Sequence, residues 1–375
     1  MASTSDPSLA GANHDHNLRN SEPQLTPAYH STSWPECYDL WVRAIFGDGP
    51  AEDGPVFTSA LKSTLSNHDA QSPVVVLDIG TGTGRVLFHL IEAIEHEGLH
   101  IRDNNNSSSD AASPQRFQLI GSEPSQSMLD RAQRVYHSLD RRDWPGPRLP
   151  KQHRDDPPVP LQLDWLCDSA TSFAHSLPTT PTPTTATTTT TAAASPAIVD
   201  LAIFAAGSIT HLTEESDIAR FLTEIKQCLR PTGRAVISVL RDFIAEGSRP
   251  AEVVAPAATA PSTTLGGETV PEKDDVVLHS DEVMRLPSRE NPGQIYLKYP
   301  AALSRETVSG KTVCTERFKL EVVDEAGNLL KSELLYWQES IFDMDRWPGQ
   351  LAAAGLRVLE KIDGKIQIWF IIGHE

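Results

Sequence analysis

The sequence predicts an α/β protein built on a mostly parallel sheet. Between residues 74 and 240, short β-branched runs alternate with stretches whose apolar residues recur at helical spacing. Such alternation is typical of parallel strands joined by right-handed helical crossovers. Beyond residue 290 the apolar period changes to two, as expected for antiparallel strands with one buried face. The chain therefore combines a parallel core with an antiparallel addition.

The predicted core, residues 33–240, opens with a helix and continues with five strands. The helix covers 33–46 and has a large apolar face. The strands are predicted at 74–79, 116–123, 161–168, 198–207 and 234–240. The helices between them are predicted at 84–96, 124–139 and 213–233, with a short one after the third strand, and Thr213 is the expected N-cap of the last.

Polar and low-complexity segments interrupt this core. Residues 1–32 are polar and predict a disordered N-terminal tail. Three inserts, at 101–115, 141–160 and 178–197, each lie between a helix and the next strand. Because ligands of parallel sheets bind at the carboxyl ends of the strands, these inserts are expected on the side away from the ligand. The loop at 241–290 follows the fifth strand and leaves from the ligand side.

The C-terminal part predicts an insertion and a return to the core. Segments 293–304, 311–324 and 329–343 have period two, so an antiparallel insertion is expected within 241–342. Residues 343–375 then predict a helix and a pair of strands around Asp363-Gly364. This pair is expected to complete a core sheet of seven strands.

Composition and charge restrict the class of partner. The chain of 375 residues has a formal net charge of −18, which argues against nucleic acid because phosphate binding depends on Lys and Arg. Its four cysteines form no C-x-x-C pair, a distribution that fits a reducing compartment. The sequence shows no signal peptide and no apolar run of roughly 20 residues. A cytoplasmic protein that contacts neither nucleic acid nor membrane is expected.

The first core strand ends in a turn with a glycine at every second position, Gly80-Thr81-Gly82-Thr83-Gly84. A phosphate-binding loop would continue with Gly-Lys-Ser/Thr, but Arg85 follows Gly84. A dinucleotide-binding turn would be G-x-G-x-x-G, and here the third glycine comes one residue early. The third interpretation is a turn whose backbone approaches a nucleoside without phosphate.

Two acidic residues stand where such a nucleoside needs them. Glu123 ends the second strand, where an acid holds ribose hydroxyls, and Asp168 ends the third, where an acceptor can meet the adenine amino group. Together with the glycine turn, these acids resemble the pattern of class I S-adenosylmethionine-dependent methyltransferases. Residues 199–239, with a Leu-Arg-Pro-x-Gly sequence before the fifth strand, are similar to the family's fourth and fifth strands. The resemblance implies a Rossmann-like class I methyltransferase fold and S-adenosylmethionine as cofactor.

The resemblance also implies roles for individual residues. The implied cofactor-binding residues are Asp78, Gly80, Thr81, Gly82, Gly84, Glu123, Asp168 and Ala205. Asp78 has a second interpretation as a brace of the turn, and Asp168 as the N-cap of the helix that follows. No Asp cluster indicates the metal site of catechol-type enzymes, so no metal is expected.

The rest of the chain resembles small-molecule N-methyltransferases that act on amino sugars and amino acids. In that family an antiparallel sheet inserted after the fifth strand covers the substrate, and an early Tyr-Asp helix closes over the cofactor. Residues 37–41, Cys-Tyr-Asp-Leu-Trp, match this helix, so Tyr38 and Trp41 are expected at the lid and Tyr38 in the catalytic site. His211, after the fourth strand, is the second catalytic candidate, as base or orienting group, although a lone His is more often structural.

The expected function is N-methylation of a small-molecule amine in secondary metabolism. Attack by a neutral amine on a sulfonium methyl needs mainly alignment and desolvation. A hydroxyl acceptor would want a base, so O-methylation with His211 in that role is the first alternative. A non-catalytic cofactor-binding regulatory partner is the second, and a homodimer is left open.

Overall fold

A computed structural model describes residues 24–46, 52–68, 72–96, 99, 116–138, 161–178, 198–245, 282–308 and 310–375. The predicted inserts at 101–115 and 141–160 lie outside these residues, as do the insert at 178–197 apart from residue 178 and most of the loop at 241–290. Throughout the described residues, no helix combines the length and the apolar character that a membrane crossing requires.

The described residues form strands and helices in the predicted alternation. The strands are β1 Leu25–Pro27, β2 Val74–Ile79, β3 Phe117–Ser122, β4 Leu161–Leu166, β5 Val199–Phe204, β6 Leu229–Leu240, β7 Met284–Pro287, β8 Gln294–Lys298, β9 Ala302–Val308, β10 Lys311–Asp324, β11 Leu329–Ser340, β12 Leu356–Asp363 and β13 Gln367–His374. The helices are α1 Trp34–Phe46, α2 Gly54–Ser66, α3 Arg85–His96, α4 Gln126–His137, α5 Glu215–Cys228 and α6 Trp347–Ala353.

The core sheet has seven strands in the order β12-β13-β6-β5-β2-β3-β4. The neighbouring pairs from β6 to β4 are parallel, and β13 runs antiparallel to both β6 and β12. The five parallel strands follow the 3-2-1-4-5 order of a doubly wound nucleotide-binding sheet. The predicted Rossmann-like fold, with a strand pair from the C-terminus completing seven strands, is confirmed.

Helices cover both faces of this sheet because its buried strands are apolar on both sides. Along β2, Val75 and Leu77 pack on the face covered by α5 and α6, whereas Val74 and Val76 pack on the face covered by α2 and α3. Every residue of β2 and of β5 is buried. This continuous apolar pattern is typical of parallel strands that carry helices on both faces.

A second sheet, here called the cover sheet, lies over one end of the core sheet. Its strand order is β1-β11-β10-β8-β7, and β9 pairs with the first half of β10. All its pairs are antiparallel except β1 with β11, which is parallel. The antiparallel insertion that the sequence predicted after the fifth core strand is confirmed.

The predicted boundary of the disordered tail at residue 32 is wrong. Leu25–Pro27 pair with residues 334–336 of β11, and a 3₁₀ turn over Ala28–His30 follows. The Ser31 hydroxyl oxygen then accepts the N–H groups of Ser33 and Trp34 and so caps α1. A three-residue strand has no periodicity of its own, because only its partner makes it a strand. The sequence pattern therefore could not reveal it.

Some predicted element boundaries also need correction. Helix α5 begins at Glu215 with Glu214 at the cap position, not at Thr213, and it ends at Cys228 because β6 already begins at Leu229. The short helix expected after the third core strand is a 3₁₀ turn over Ala174–Ser176. Helix α2 was not predicted, although its apolar residues, among them Phe57, recur on one buried face.

The carboxylate of Glu36 attaches α1 to the cover sheet. Its Oε1 accepts the N–H groups of Arg289 and Glu290 at 2.6 and 2.8 Å. Its Oε2 accepts the hydroxyls of Ser288 and Tyr296, both at 2.9 Å. Glu36 is only 4% exposed, so this buried charge depends on its four donors.

We expect Glu36→Ala to lower the free energy of unfolding by about 2–3 kcal/mol, since it leaves four donors, two of them buried, without an acceptor. Tyr296→Phe, which removes one donor, should cost about 1 kcal/mol. Glu306 lies exposed on β9 and provides the control, because Glu306→Ala should change stability by less than about 0.5 kcal/mol. Urea unfolding at constant pH measures all three, and equal losses for Glu36→Ala and Glu306→Ala would contradict the assigned role.

Candidate active site

The glycine turn lies at the centre of the core sheet, where the strand order reverses. It follows β2, which has β3 on one side and β5 on the other, and ligands of such sheets bind at this crevice. Gly80, Gly82 and Gly84 have φ angles of 64°, 56° and 94°, which residues with a Cβ rarely adopt. The Thr81 N–H donates to the Ser122 carbonyl at 3.0 Å and fixes the turn beside β3.

Glu123 meets the glycine turn from the end of β3. Its Oε2 accepts the Gly82 N–H and its Oε1 the Ser125 N–H, both at 3.0 Å. Burial raises the pKa of Glu123 to about 7, although the two backbone hydrogen bonds act in the opposite direction. A buried carboxylate therefore lies directly against a backbone that carries no side chains.

Asp78 is buried at the end of β2 and uses only one of its oxygens. The Thr81 hydroxyl donates to Oδ2 at 2.6 Å, whereas Oδ1 has no hydrogen-bond partner. Burial raises the pKa of Asp78 to about 7, and the bond from Thr81 partly opposes this shift. Asp78 thus braces the glycine turn through Oδ2, whereas Oδ1 is a buried acceptor without a donor.

Asp168 lies at the same edge of the sheet, but its carboxylate serves its own loop. Oδ1 accepts the Ser169 N–H and the Ser172 hydroxyl at 2.8 and 2.5 Å, and Oδ2 accepts the Ser176 hydroxyl at 2.5 Å. Partial burial would raise the pKa of Asp168, but these donors lower it below its usual value. Its predicted contact with adenine stays a prediction.

Ala205 ends β5 on the opposite side of the turn. Its carbonyl accepts the N–H and the hydroxyl of Ser208 at 3.0 and 2.7 Å. The next residue, Ala206, has a φ of 53°, the one left-handed residue other than glycine among those described. The Gly207 N–H holds this bend by donating to the Ser238 hydroxyl at 3.0 Å. Backbone strain of this kind is often found beside functional sites.

Helix α1 passes over the glycine turn, as its Tyr-Asp pair predicted. The Thr83 hydroxyl donates to Asp39 Oδ1 at 2.6 Å, and Arg131 Nε donates to Asp39 Oδ2 at 2.5 Å. Tyr38 is enclosed by protein and yet partly accessible, as expected of a side chain that lines a cleft. Burial raises its pKa, so its hydroxyl stays protonated. Trp41 lies beside it, 6.0 Å between ring centroids.

His211 contacts Tyr29, which the sequence analysis had placed in the disordered tail. His211 Nδ1 lies 2.8 Å from the Gln338 carbonyl and must donate to it. In a neutral ring, Nε2 is then an acceptor, and the Tyr29 hydroxyl lies 3.3 Å from it. Burial raises the pKa of Tyr29 well above its usual value, so the hydroxyl is the donor. The Ser125 hydroxyl donates to the Tyr29 carbonyl and fixes this residue.

The cover sheet turns polar groups as well as aromatic rings toward this region. Glu316 pairs across the strands with Trp337, so both lie on the same face, and Trp337 contacts Trp41 of α1 at 5.8 Å between centroids. Lys298 Nζ lies 3.8 Å from Glu316. On β11, Glu339 Oε1 accepts the Thr210 hydroxyl at 3.1 Å, next to His211.

The structure thus brings most predicted site residues to one edge of the core sheet. The glycine turn, Asp78 and Glu123 lie at the ends of β2 and β3, Tyr38 lies on α1, and His211 lies in the turn after β5. Sequence analysis missed Tyr29, Asp39, Glu316 and Glu339. Asp39 belongs to the matched Tyr-Asp pair, and Glu316 and Glu339 belong to segments of period two. Neither pattern indicates toward which face of the helix or sheet the side chain points.

The chain was compared with protein-family models, solved structures and curated proteins. No protein-family model matches it. An S-adenosylmethionine-dependent methyltransferase from Clostridium acetobutylicum ATCC 824 aligns over 91% of this chain and 99% of its own, with a TM-score of 0.48 and 10% identity. Streptomyces venezuelae DesVI aligns over 89% of this chain and 97% of its own, with a TM-score of 0.47 and 13% identity. The sugar N-methyltransferase KedS8 from Streptoalloteichus sp ATCC 53650 aligns over 100% of both chains, with a TM-score of 0.45 and 14% identity.

A curated relative is similar in sequence. N-methyltransferase FrzE of Cladobotryum sp is 28% identical over 190 residues, which is 50% of this chain and 50% of that protein. The match therefore spans about half the length of the relative. Over that half it confirms the resemblance to N-methyltransferases that the motifs indicated.

We expect the raised pKa of Glu123 to make the stability of the ligand-free protein depend on pH. Its pKa rises from 4.5 to about 7 on folding, so the folded state binds this proton more tightly. The free energy of unfolding should therefore fall as pH rises from about 4.5 to about 7. Glu123→Gln removes the titration, and relative to wild type it should gain about 2–3 kcal/mol over this window. Urea unfolding at several pH values checks this, with Glu306→Gln as control, and an unchanged slope for Glu123→Gln would disprove it.

Proposed function

We propose that the chain is an S-adenosylmethionine-dependent methyltransferase that N-methylates a small-molecule amine. The observation that carries the proposal is the hydrogen bond from the Gly82 N–H to Glu123 at the point where the strand order reverses. It joins a bare backbone to a buried carboxylate beneath the helix that carries Tyr38. The similarity to FrzE supports the choice of nitrogen as acceptor.

The residues around the turn fit this cofactor. Glu123 accepts one N–H on each oxygen and keeps further lone pairs for the two ribose hydroxyls. A Cβ added at Gly82 would be in ordinary van der Waals contact with Met128 Cε at 3.6 Å, so the backbone of the turn is not covered closely by other side chains at this point. The unpartnered Asp78 Oδ1 is an acceptor suited to an ammonium group.

Further contacts are proposed for Gly80, Gly84, Asp168 and Ala205. The glycines and Thr81 would offer backbone groups, and Ala205 would line the opposite side of the crevice. Asp168 can accept the adenine amino group only if it shares an oxygen that a loop serine now occupies. We therefore expect its contribution to cofactor affinity to be smaller than that of Glu123.

The bound cofactor would supply a methyl group on a positively charged sulfur, which is already a good leaving group. The work left to the chain is to align the acceptor nitrogen and to exclude water. Tyr38 and Trp41 on α1 and Trp337 on β11 provide the walls that exclude water. The tie between Asp39 and Thr83 fixes these walls relative to the glycine turn.

The contacts of His211 favour an orienting role over that of a base. Its acceptor nitrogen already lies against the Tyr29 hydroxyl, so a proton from substrate would have to pass through Tyr29. A hydroxyl acceptor needs a base, whereas a neutral amine does not. This geometry therefore supports N-methylation over O-methylation. A cover sheet with inward-facing carboxylates supports an enzyme over a regulatory partner.

Other aspects of the proposal stay predictions. These are the place in secondary metabolism, the cytoplasmic location, a homodimer, and the lack of nucleic-acid and membrane partners. Light scattering after size-exclusion chromatography would measure the assembly state.

Cofactor binding is the first test. Calorimetry should show that the protein binds S-adenosylmethionine or S-adenosylhomocysteine with a Kd of about micromolar order. Glu123→Ala should weaken binding by about 5–150-fold, the effect of leaving ribose hydroxyls unpaired. Asp130, whose hydrogen bond to Gln126 stays on the exposed side of α4, provides the control, and Asp130→Ala should bind normally. Binding of NAD or ATP in place of both sulfur ligands would overturn the assignment.

The reaction is the second test. With isotope-labelled S-adenosylmethionine and a metabolite extract, mass spectrometry should detect labelled small-molecule amines. His211→Ala should then lower kcat by about tenfold or less, since only orientation is lost. A loss of about 10²–10⁴-fold would instead identify a general base and favour a hydroxyl acceptor. Labelling of nucleic acid or protein without any small-molecule product would refute both.

A further inference from the structure

Glu339 lies on the face of the cover sheet that looks toward the glycine turn. It pairs with Cys314 across the strands, so it shares a face with Glu316, Phe318 and Leu335. Phe318 and Leu335 of that face pack with Trp34 of α1. The hydrogen bond from Thr210 brings Glu339 against the loop that follows β5. The carboxylate therefore lies, partly exposed, between the cover sheet and the ligand edge of the core.

No lysine or arginine among the described residues forms an ion pair with Glu339. Glu316, on the neighbouring strand, has Lys298 for that purpose. The titratable groups that interact with Glu339 are Tyr29, His211, Cys314 and Glu316. Burial raises the pKa of Glu339, with His211 and Thr210 opposing the shift. A ligand that supplies a cation would stabilise this partly buried carboxylate.

The inner face of the cover sheet, which carries Glu339, also carries an ammonium group among aromatic rings. Lys298 Nζ lies 4.6, 5.2 and 5.8 Å from the ring centroids of Phe318, Trp41 and Trp337. These distances are typical of cation–π contacts. Burial lowers the pKa of Lys298, and the nearby Glu316 carboxylate opposes that shift, so an ammonium on this face depends on a carboxylate as well as on the rings.

Tyr29 connects this face to the cofactor side. Its hydroxyl lies 3.3 Å from His211 Nε2, and its carbonyl accepts the hydroxyl of Ser125, whose N–H donates to Glu123. Because it donates its proton to His211, its oxygen still has a lone pair for an N–H donor. Two acceptors, one of them anionic, thus stand where an acceptor nitrogen would have to approach the turn.

We propose that Glu339 determines substrate specificity by binding the acceptor amine as its ammonium ion, with the Tyr29 oxygen as second acceptor. One N–H proton of the ammonium ion then passes to the Glu339 carboxylate, and the neutral amine that remains attacks the methyl group. This rests on the methyltransferase function proposed above and adds a substrate class to it. The substrate is a cationic primary or secondary amine carried by a body that fits an aromatic wall. Neutral and anionic analogues are excluded because they leave the Glu339 charge uncompensated.

The test measures binding to protein saturated with S-adenosylhomocysteine. Calorimetric titrations use three probes of one shape: phenethylamine, 2-phenylethanol and phenylacetate. Wild type should bind phenethylamine at least about 10-fold more tightly than 2-phenylethanol, and phenylacetate most weakly. Glu339→Gln keeps an acceptor for Thr210 and should reduce the preference to within about threefold. Glu339→Asp, which keeps the charge, and the control Glu306→Gln should both retain a preference for the amine.

The outcomes separate this inference from the proposed function. If wild type fails to bind S-adenosylhomocysteine, the proposed function fails first. If it binds S-adenosylhomocysteine but does not prefer the amine, the substrate class is wrong and the function stands. If Glu339→Gln keeps the full preference while its S-adenosylhomocysteine affinity and melting temperature are normal, the ammonium is bound elsewhere and the role of Glu339 is refuted.

Discussion

Two carboxylates on α1 hold the ligand edge together. Glu36 accepts four hydrogen bonds from β8 and from the turn between β7 and β8 of the cover sheet. Asp39 accepts hydrogen bonds from Thr83 of the glycine turn and from Arg131 of α4. One short helix is thus tied to the three parts of the chain that enclose the cleft. The apolar contacts around Trp34 stabilise the same helix, but apolar packing is not directional and does not fix the orientation of the helix. The directional bonds of the two acids therefore determine where Tyr38 lies.

Much of the fold was predictable because each core strand carries its own signal. The run at Val74–Ile79 is apolar throughout, and the glycines after it leave few alternatives. The inner face of the cover sheet was not predictable in the same way. A period-two segment shows that Tyr336 and Trp337 point to opposite sides, but only the strand register shows that Trp337 faces inward. Tyr29 was missed because its position depends on a partner strand some 300 residues away.

Several partly or fully buried carboxyl groups lie at the ligand edge of the core sheet, and their charged forms destabilise the folded protein. Burial raises the pKa values of Asp78, Glu123, Glu316 and Glu339, so the fold disfavours their charged forms. Ligands that bring cations and hydroxyl donors reverse that cost. Binding and stability are then linked, since what stabilises the charged acids also stabilises the folded state.

Strand β1 is paired less extensively than the other described strands of the cover sheet. It has three residues and pairs with a single neighbour, whereas β10 and β11 share a ladder that runs from Val313–Ser340 to Val323–Leu329. Releasing β1 breaks few hydrogen bonds, and segments of this kind open at a small fraction of the global unfolding free energy. Because Tyr29 follows β1 directly, its contact with His211 depends on the shortest strand pairing of the described cover sheet and on the hydrogen bond from Ser125.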